Sequence, residues 1–195
     1  MATNVVTLFY VTRIPDLLQK SWRDLTRRPT IVTRNSMSEI VVRAADEGDE
    51  QFLRHVYFST RLPEVVAFGW DDTQICAFLE MQFRVREQSY KIQYPSAEYF
   101  IVDVGGSNAG SLIVDRSGAN IGLTDIAILP EYRGTGIATH LIELLQAEAT
   151  ASSRPLVLTV DNGNVAARRL YEKLNFVVTA EGQFANEMEW RAESS

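Results

Sequence analysis

A glycine-rich turn between an apolar segment and an amphipathic segment is the feature of this sequence that most restricts its fold. Residues 121–129 read IGLTDIAIL, and their length and flanking residues favour a strand. Pro130 and the segment EYRGTG at 131–136 come next. In the helical pattern that follows, four apolar residues share one face: Ile137, Leu141, Leu144 and Leu145. The sequence therefore predicts a strand, a tight turn and a helix that is buried along one side.

The start of this helix is suited to hold a phosphate. The first N–H groups of a helix have no partners inside it and carry part of the positive end of its macrodipole. Glycine at 134 and 136 removes the Cβ atoms that would keep a ligand away from the backbone, and Arg133 adds a positive charge. We therefore expect a phosphate or pyrophosphate to bind at this turn.

Two other phosphate-binding patterns fit less well. A dinucleotide fingerprint would need glycine where Thr139 stands, and Asp161, the acid ending the next strand, lies further from Gly134 than the usual ~20 residues. The chain after Asp161 is also too short for the remaining βαβ units of a dinucleotide-binding domain. A P-loop would need Gly-Lys followed by Ser or Thr, which does not follow here.

The spacing of apolar residues from Met37 onward predicts alternating groups of strands and helices. Strands are predicted at 39–45, 97–104, 111–117, 121–129, 155–161, 176–182 and 184–192. Helices are predicted at 46–61, 71–92, about 134–150 and 164–174, with a loop at 62–70 and a turn of positive-φ residues at 105–110. The order β-α-α-β-β-β-α-β-α-β-β indicates an α/β or α+β domain with a mixed sheet.

Composition limits the class of protein. The 195 residues are 46% hydrophobic, which suits one domain with a sizeable core, and no apolar run is long enough to span a membrane. Cys76 is the single cysteine, so no internal disulfide forms and a cytoplasmic location is expected. The two histidines, His55 and His140, and Cys76 do not have metal-ligand spacing, so no metal is expected.

Charge separates the first 36 residues from the rest. Residues 1–36 hold six basic and two acidic residues, a net charge of +4, and since the whole chain is −6 the remainder carries −10. An acidic domain argues against nucleic acid and is compatible with a cationic amine. We interpret residues 1–36 as a basic leader, flexible or non-native, although an Arg-rich, acid-poor segment also fits a transit peptide. Residues 37–195 then form the domain.

Two segments resemble motifs of the GNAT superfamily of N-acetyltransferases. In the glycine turn, Arg133, Gly136 and Ala138 stand at the three defining positions of its acyl-CoA motif, Q/R-x-x-G-x-G/A. Residues 164–176 resemble its second motif, N-x-x-A-x-x-L-Y-x-x-x-G-F, with Asn175 in place of glycine. Asparagine also tolerates the left-handed conformation that ends a helix. The resemblance implies a GNAT domain over 37–195, with a mixed, mostly antiparallel seven-stranded sheet and four helices.

The resemblance also implies which residues bind acetyl-CoA. The backbone of Ile126, Ala127 and Ile128 would pair with the pantetheine arm. Asn164 and Ala167 would contact the same arm. The amides that would hold the pyrophosphate belong to Arg133, Gly134, Thr135, Gly136, Ile137, Ala138 and Thr139.

The chemistry of amine attack on a thioester suggests roles for a few side chains. The amide of Ile128 is a candidate donor to the developing oxyanion. Tyr171 would lie near the sulfur and protonate the leaving thiolate, or else it is a packing residue of its helix. Asp125 is the first candidate for the base that deprotonates the amine, or else it is a structural carboxylate. Glu187 and Glu189 come next, and a water chain is a further alternative.

The acceptor side is predicted by analogy with the family, in which the first two helices and their loop shape the acceptor pocket. That points to Arg61, Leu62, Pro63, Glu64, Trp70 and Gln82, and Glu187 on the last strand is added as a substrate contact. Arg61 and Glu64 are candidates to bind a carboxylate and an amine.

The sequence thus predicts an acetyltransferase that moves an acetyl group from acetyl-CoA to a primary amine of a small molecule or protein, by direct attack in a ternary complex. Neither histidine nor Cys76 is placed to serve as a covalent relay. The alternative is a catalytically inactive, CoA-binding regulatory or interaction module. No nucleic acid or membrane partner is expected, and a homodimer through the late strands is an expectation by analogy.

Overall fold

The computed structural model of the protein describes residues 31–35 and 38–192. The eight strands are β1 Ile31–Asn35, β2 Ser38–Ala44, β3 Glu98–Val104, β4 Ser107–Asp115, β5 Ile121–Ile128, β6 Leu156–Asp161, β7 Val177–Glu181 and β8 Ala185–Trp190. The four helices are α1 Glu50–Val66, α2 Asp72–Gln93, α3 Ile137–Ala151 and α4 Val165–Lys173.

The strands form one sheet in the order β1-β2-β3-β4-β5-β6-β8-β7. Only β5 and β6 pair in parallel, and every other neighbouring pair is antiparallel. The predicted mixed, mostly antiparallel fold is confirmed, because the seven strands expected from residue 37 onward and the four helices occur in the predicted order. β1 adds an eighth strand from within the segment interpreted as a leader, and residues 1–30 of that segment lie outside the described residues.

Two predicted boundaries are wrong. Helix α1 continues through Pro63 to Val66, where a loop was expected from 62. Proline removes one helical hydrogen bond, yet Leu62 and Val65 pack with α2 in one apolar cluster, and this burial keeps the last turn helical. The turn between β3 and β4 is also shorter than predicted, since β4 begins at Ser107 and only Gly105 and Gly106 connect the strands.

Side-chain hydrogen bonds and backbone preferences of neighbouring residues form the predicted helix ends. Asp71 precedes α2 and accepts a hydrogen bond from the Gln74 N–H, while the Gln74 side chain accepts one from the Asp71 N–H, which is a capping box. Asn175 follows α4 with a φ of 64°, so this asparagine takes the left-handed conformation expected where glycine is usual.

Strand β5 runs through the middle of the core and buries residues on both of its faces. Ile126 and Ile128 belong to the main apolar cluster, which contains residues of α3 and α4. Ala127, which lies between them, belongs to a second cluster with Phe52 and Val56 of α1. Successive side chains of a strand point to opposite faces, so α3 and α4 cover one face of the sheet and α1 covers the other.

Candidate active site

The parallel pair of strands opens into a gap. β5 and β6 are in register only over Ile121–Leu123 and Leu156–Leu158. Beyond those positions β5 continues to Ile128 without a partner on its β6 side. The gap is therefore bordered by the second half of β5, and an extended ligand could add to this free edge.

The backbone of Ile128 is directed into this gap. Leu129 N–H donates to the Ala109 carbonyl at 2.9 Å, which makes Gly110 and Ile128 a pair without mutual hydrogen bonds in the antiparallel ladder. The N–H and carbonyl groups of Ile128 then point away from β4. The carbonyl accepts a hydrogen bond from Arg133 Nε at 2.9 Å, and the N–H is left as a donor facing the gap.

The N-terminus of α3 lies beside this end of β5 and has no cap. Gly136 precedes the helix with a φ of 86°, no side chain caps the first turn, and the first turn holds no acidic residue. Cβ atoms built on Gly134 and Gly136 would meet no atom within 4 Å, so packing does not account for the two glycines. Their positive φ angles and the open space above them leave the first-turn N–H groups accessible to an anion.

Several buried polar atoms around this end of β5 have no partner among the described residues. They are Arg133 Nη1 and Nη2, Asn164 Nδ2 and Tyr171 OH. Asn164 is 2% exposed and caps α4, because its side-chain oxygen accepts from the Ala167 N–H at 3.1 Å. Buried polar groups are nearly always hydrogen-bonded in folded proteins, so these atoms indicate that a polar ligand completes this region.

Tyr171 is fully buried in the main apolar cluster and its ring packs against Phe176. Burial raises the pKa of Tyr171, and the nearby charge of Asp125 raises it further. The hydroxyl therefore stays protonated at neutral pH and is a hydrogen-bond donor. The effect of Asp125 also shows that the two groups are within electrostatic reach, although they belong to opposite faces of the sheet.

A pocket of about 410 Å³ lies on that opposite face, between α1, α2 and the sheet. Apolar side chains form much of its wall: Leu53, Val56, Met81, Val85, Ile113 and Ala127. Its polar lining consists of Tyr57, Thr60, Arg61, Gln82, Arg86, Glu87, Ser89, Tyr90, Tyr99, Ser111 and Asp125. A small, partly apolar molecule fits such a lining.

A buried ion pair lies in this pocket. Arg86 Nη2 is 2.5 Å from Asp125 Oδ2, and Arg86 Nη1 is 3.0 Å from Glu87 Oε1. Burial raises the pKa of Asp125 above its ordinary value, although the Arg86 charge acts in the opposite direction. Burial also raises the pKa of Glu87. Asp125 is thus a carboxylate with increased proton affinity.

The structure places some of the predicted acceptor residues in the pocket lining and others outside it. Arg61 and Gln82 line the pocket. Glu64 does not line it and pairs with Arg61 at 3.1 Å. Trp70 is 40% exposed and packs against Phe68 and Phe78, outside the pocket lining.

The remaining predicted residues are Leu62, Pro63, Glu187 and Glu189. Leu62 and Pro63 lie within α1 and do not line the pocket. Glu187 and Glu189 lie on β8 and are not among the lining residues either. Glu189 pairs with Arg191 at 2.5 Å.

Sequence reasoning missed Arg86, and one signal could have found it. The buried positions of α2 are Ile75, Leu79, Phe83 and Tyr90. Arg86 falls on the same stripe, three residues after Phe83 and four before Tyr90. A charged residue in the apolar stripe of a helix needs a buried partner, and that requirement points to a carboxylate on the sheet.

Neither a metal-binding cluster nor a membrane-spanning helix occurs among the described residues. In residues 31–35 and 38–192, no group of three or more His, Cys, Asp and Glu side chains could hold a metal ion. No helix in this part of the chain is long and apolar enough to cross a membrane.

Comparison with known proteins identifies relatives of this arrangement. The sequence model of the acetyltransferase (GNAT) family matches residues 62–176, more than half of the chain. Acetyltransferase SG1711 of Sodalis glossinidius is 30% identical over 87 residues, which cover 44% of this chain and 61% of that relative. The matched part of the chain therefore spans less than two thirds of that curated relative.

Solved structures share the fold at low identity. PaiA N-acetyltransferase from Thermoplasma acidophilum, in complex with coenzyme A, has a TM-score of 0.60 at 15% identity and covers 78% of this chain and 99% of its own. Spermidine N-acetyltransferase from Vibrio cholerae, in complex with CoA and spermine, has a TM-score of 0.54 at 19% identity. This match covers 78% of this chain and 95% of that protein.

Proposed function

The chain belongs to the GNAT acetyltransferase family, and from this premise we propose that it transfers an acetyl group from acetyl-CoA to a primary amine by direct attack in a ternary complex. One observation carries the proposal. An uncapped helix N-terminus and an open strand edge lie on one side of β5, and a pocket containing Asp125 lies on the other. The two substrates can then approach one reaction centre from opposite faces of the sheet.

Acetyl-CoA is held along the edge of β5 and at the start of α3 in this proposal. The pyrophosphate accepts hydrogen bonds from the N–H groups between Arg133 and Thr139, with Gly134 and Gly136 allowing close approach. The pantetheine arm pairs with the free backbone edge between Ile126 and Ile128. The structural relative from Thermoplasma acidophilum was solved with coenzyme A, which supports this choice of ligand.

The unpartnered buried atoms gain partners when this ligand is present. Asn164 Nδ2 is a free donor beside the start of α4, and Arg133 has two free nitrogens after its contact with the Ile128 carbonyl. Each would otherwise keep the full cost of a buried donor without an acceptor, about 1–3 kcal/mol. The carbonyl and phosphate oxygens of acetyl-CoA supply acceptors of the required kind.

The transfer then follows from the groups around the gap. The amine nitrogen attacks the thioester carbon, and the Ile128 N–H donates to the oxyanion that develops. Asp125 accepts the proton that the amine loses. The carbon–sulfur bond breaks as the oxyanion collapses, and Tyr171 donates its hydroxyl proton toward the leaving thiolate. Because burial raises the pKa of Tyr171, its hydroxyl is a weaker acid than that of a free tyrosine, and it gives up the proton only to a sulfur that has become negatively charged.

Calorimetric titration with acetyl-CoA tests the first half of the proposal. Gly136→Trp would place an indole over the first turn of α3, so we expect the wild type to bind and this variant to show no measurable heat. Gly106→Trp is the matched control, because Gly106 has the same φ of 86° and the same open space but lies in the β3–β4 turn. Equal loss of binding in both variants, or no binding by the wild type, would contradict the proposal.

Release of free thiol from acetyl-CoA in the presence of amines tests the second half. We expect amine-dependent release that exceeds the rate without amine. The reaction of exposed Cys76 with the thiol reagent is subtracted with a protein blank. Tight binding of acetyl-CoA without transfer to any amine would instead favour a regulatory CoA-binding module.

A further inference from the structure

The charged residues that line the acceptor pocket form two ion-paired groups, one of three residues and one of two. Arg86 lies between the carboxylates of Asp125 and Glu87, at 2.5 and 3.0 Å, so this group of three has a net formal charge of −1. The fourth charged lining residue, Arg61, pairs with Glu64 at 3.1 Å. Outside the pocket, Lys91 and Glu50 act on Glu87 with opposite signs. The formal charges of the lining residues and their ion-pair partners therefore sum to −1.

Two of the three aromatic rings that line the pocket already have a cation over them. The Arg86 guanidinium carbon is 4.6 Å from the centre of the Tyr90 ring and 5.3 Å from that of Tyr57. Rings and carboxylates together make a favourable site for a cation. Here the chain's own arginine occupies the site formed by Tyr57, Tyr90 and the carboxylates, which leaves Tyr99 as the remaining ring of the lining.

The rest of the lining does not stabilise another positive charge. Much of the wall is apolar, and the remaining polar groups are neutral: Thr60, Gln82, Ser89, Ser111 and the tyrosine hydroxyls. Among the described residues, the Tyr99 hydroxyl has no hydrogen-bond partner. Arg61, paired with Glu64, adds no net charge. Removing a charge from water without a partner is unfavourable, whereas an apolar group gains by contact with such a wall.

From these contacts we propose that the acceptor is a monoamine with an apolar body, and that diamines and polyamines are poor ligands. The single ammonium lies at the Asp125–Arg86–Glu87 group and balances its charge. The body contacts the apolar wall formed by α1, α2 and the sheet. This inference rests on the proposed function and names the substrate class of the same site.

Two amines of the same size, one with a single charge and one with two, test whether the pocket prefers a monoamine. The compounds para-ethylbenzylamine and para-xylylenediamine have the same ring and the same number of non-hydrogen atoms, and a terminal methyl group of the first is an amine in the second. We expect the wild type to bind the monoamine about tenfold more tightly, a difference of ~1.4 kcal/mol. Binding is measured by calorimetry on the protein alone and on the protein saturated with CoA.

A variant that adds a free carboxylate should reverse the preference. Gln82 lines the pocket, and its Oε1 accepts a hydrogen bond from Tyr57 OH at 3.3 Å. Gln82→Glu keeps this acceptor and adds one negative charge, so we expect the ratio of the two affinities to shift toward the diamine by about tenfold. Gln82→Met is the matched control of similar length without charge, and it should not favour the diamine.

Each result decides the proposal. Equal or tighter binding of the diamine by the wild type would overturn it, as would failure of the monoamine to bind or an unchanged ratio in Gln82→Glu. The titration with CoA separates this failure from that of the proposed function. If CoA binds while the diamine is preferred, only the substrate class is wrong. If CoA does not bind, the proposed function fails whatever the amine ratio.

Discussion

Removing Arg86 should destabilise the fold through the charge that it leaves behind. The Asp125 side chain is 6% exposed, and the Arg86–Asp125 contact joins residues 39 positions apart on α2 and β5. Arg86→Met keeps most of the apolar stem of the side chain but leaves the carboxylate without its cation. Loss of one partner of a buried pair costs about 3–5 kcal/mol. For a chain of this length the expected fall in melting temperature is roughly 10 °C or more.

The loss of stability in Arg86→Met should depend on pH, and the direction of this dependence follows from the pKa of Asp125. This pKa is already raised in the folded protein, and Arg86 is the group that acts to lower it, so it rises further in Arg86→Met. A carboxyl whose folded pKa lies above its unfolded pKa stabilises the folded state at low pH and loses that contribution as pH rises through the folded value. The loss of stability in Arg86→Met should therefore be largest near neutral pH, and it should shrink as the pH is lowered through the raised pKa of Asp125.

Urea denaturation of four proteins measures this effect. The free energy of unfolding is compared for wild type, Arg86→Met, Asp125→Asn and the double variant, at neutral and mildly acidic pH. In the double variant the buried charge is gone, so we expect it to be more stable at neutral pH than Arg86→Met. A deficit below about 1 kcal/mol, a deficit that does not change with pH, or a double variant no better than Arg86→Met would refute the reasoning.

Three further substitutions test other parts of the site. Tyr171→Phe removes a buried hydroxyl that has no partner among the described residues, so stability should not fall, while the rate of acetyl transfer should drop by about 10²–10⁴; a smaller drop would remove the acid role. Asn164→Ser keeps a side-chain oxygen that can cap α4 and loses the Nδ2 donor, so acetyl-CoA affinity should fall with little loss of stability. Asn164→Ala removes the cap as well and should also lose about 1 kcal/mol of stability; equal effects of the two on stability would contradict this division. Gly110→Ala would bring a Cβ to 2.3 Å from the Ala127 carbonyl oxygen, whereas the Cβ of Gly122→Ala would meet no atom nearer than 3.6 Å. Denaturation should therefore show a large loss of stability for Gly110→Ala and not for Gly122→Ala.

Local features of the chain were predictable because they depend on neighbouring residues. Gly134 and Gly136 were expected to leave room for a ligand at the backbone, and a Cβ atom on either would meet no atom within 4 Å. Asn175 was expected to take the left-handed conformation and does so. In contrast, the end of α1 was wrong by several residues, since the burial of Val65 against α2 outweighs the local effect of Pro63.

The proposed acceptor pocket shows the limit of prediction from residue types. Arg61 and Gln82 line it as predicted, but Glu64 and Trp70 do not, although they come from the same helices and loop. Nothing in the local sequence tells which side chains of a helix end or loop turn inward. That outcome depends on the angle at which α1 and α2 pack on the sheet, and it is decided by contacts with β3, β4 and β5.

The sequence by itself determined the order of the predicted strands and helices, the place of the glycine turn and the family of the chain, because these depend on periodicity, backbone preference and short motifs. Only the tertiary structure decided that β5 separates from β6, that Arg86 and Asp125 form a buried pair, and that the ion-paired groups of the pocket have a net formal charge of −1. The physical reason is that burial and electrostatic interaction depend on distance in space. Residues far apart in the chain acquire those distances only through strand register and packing.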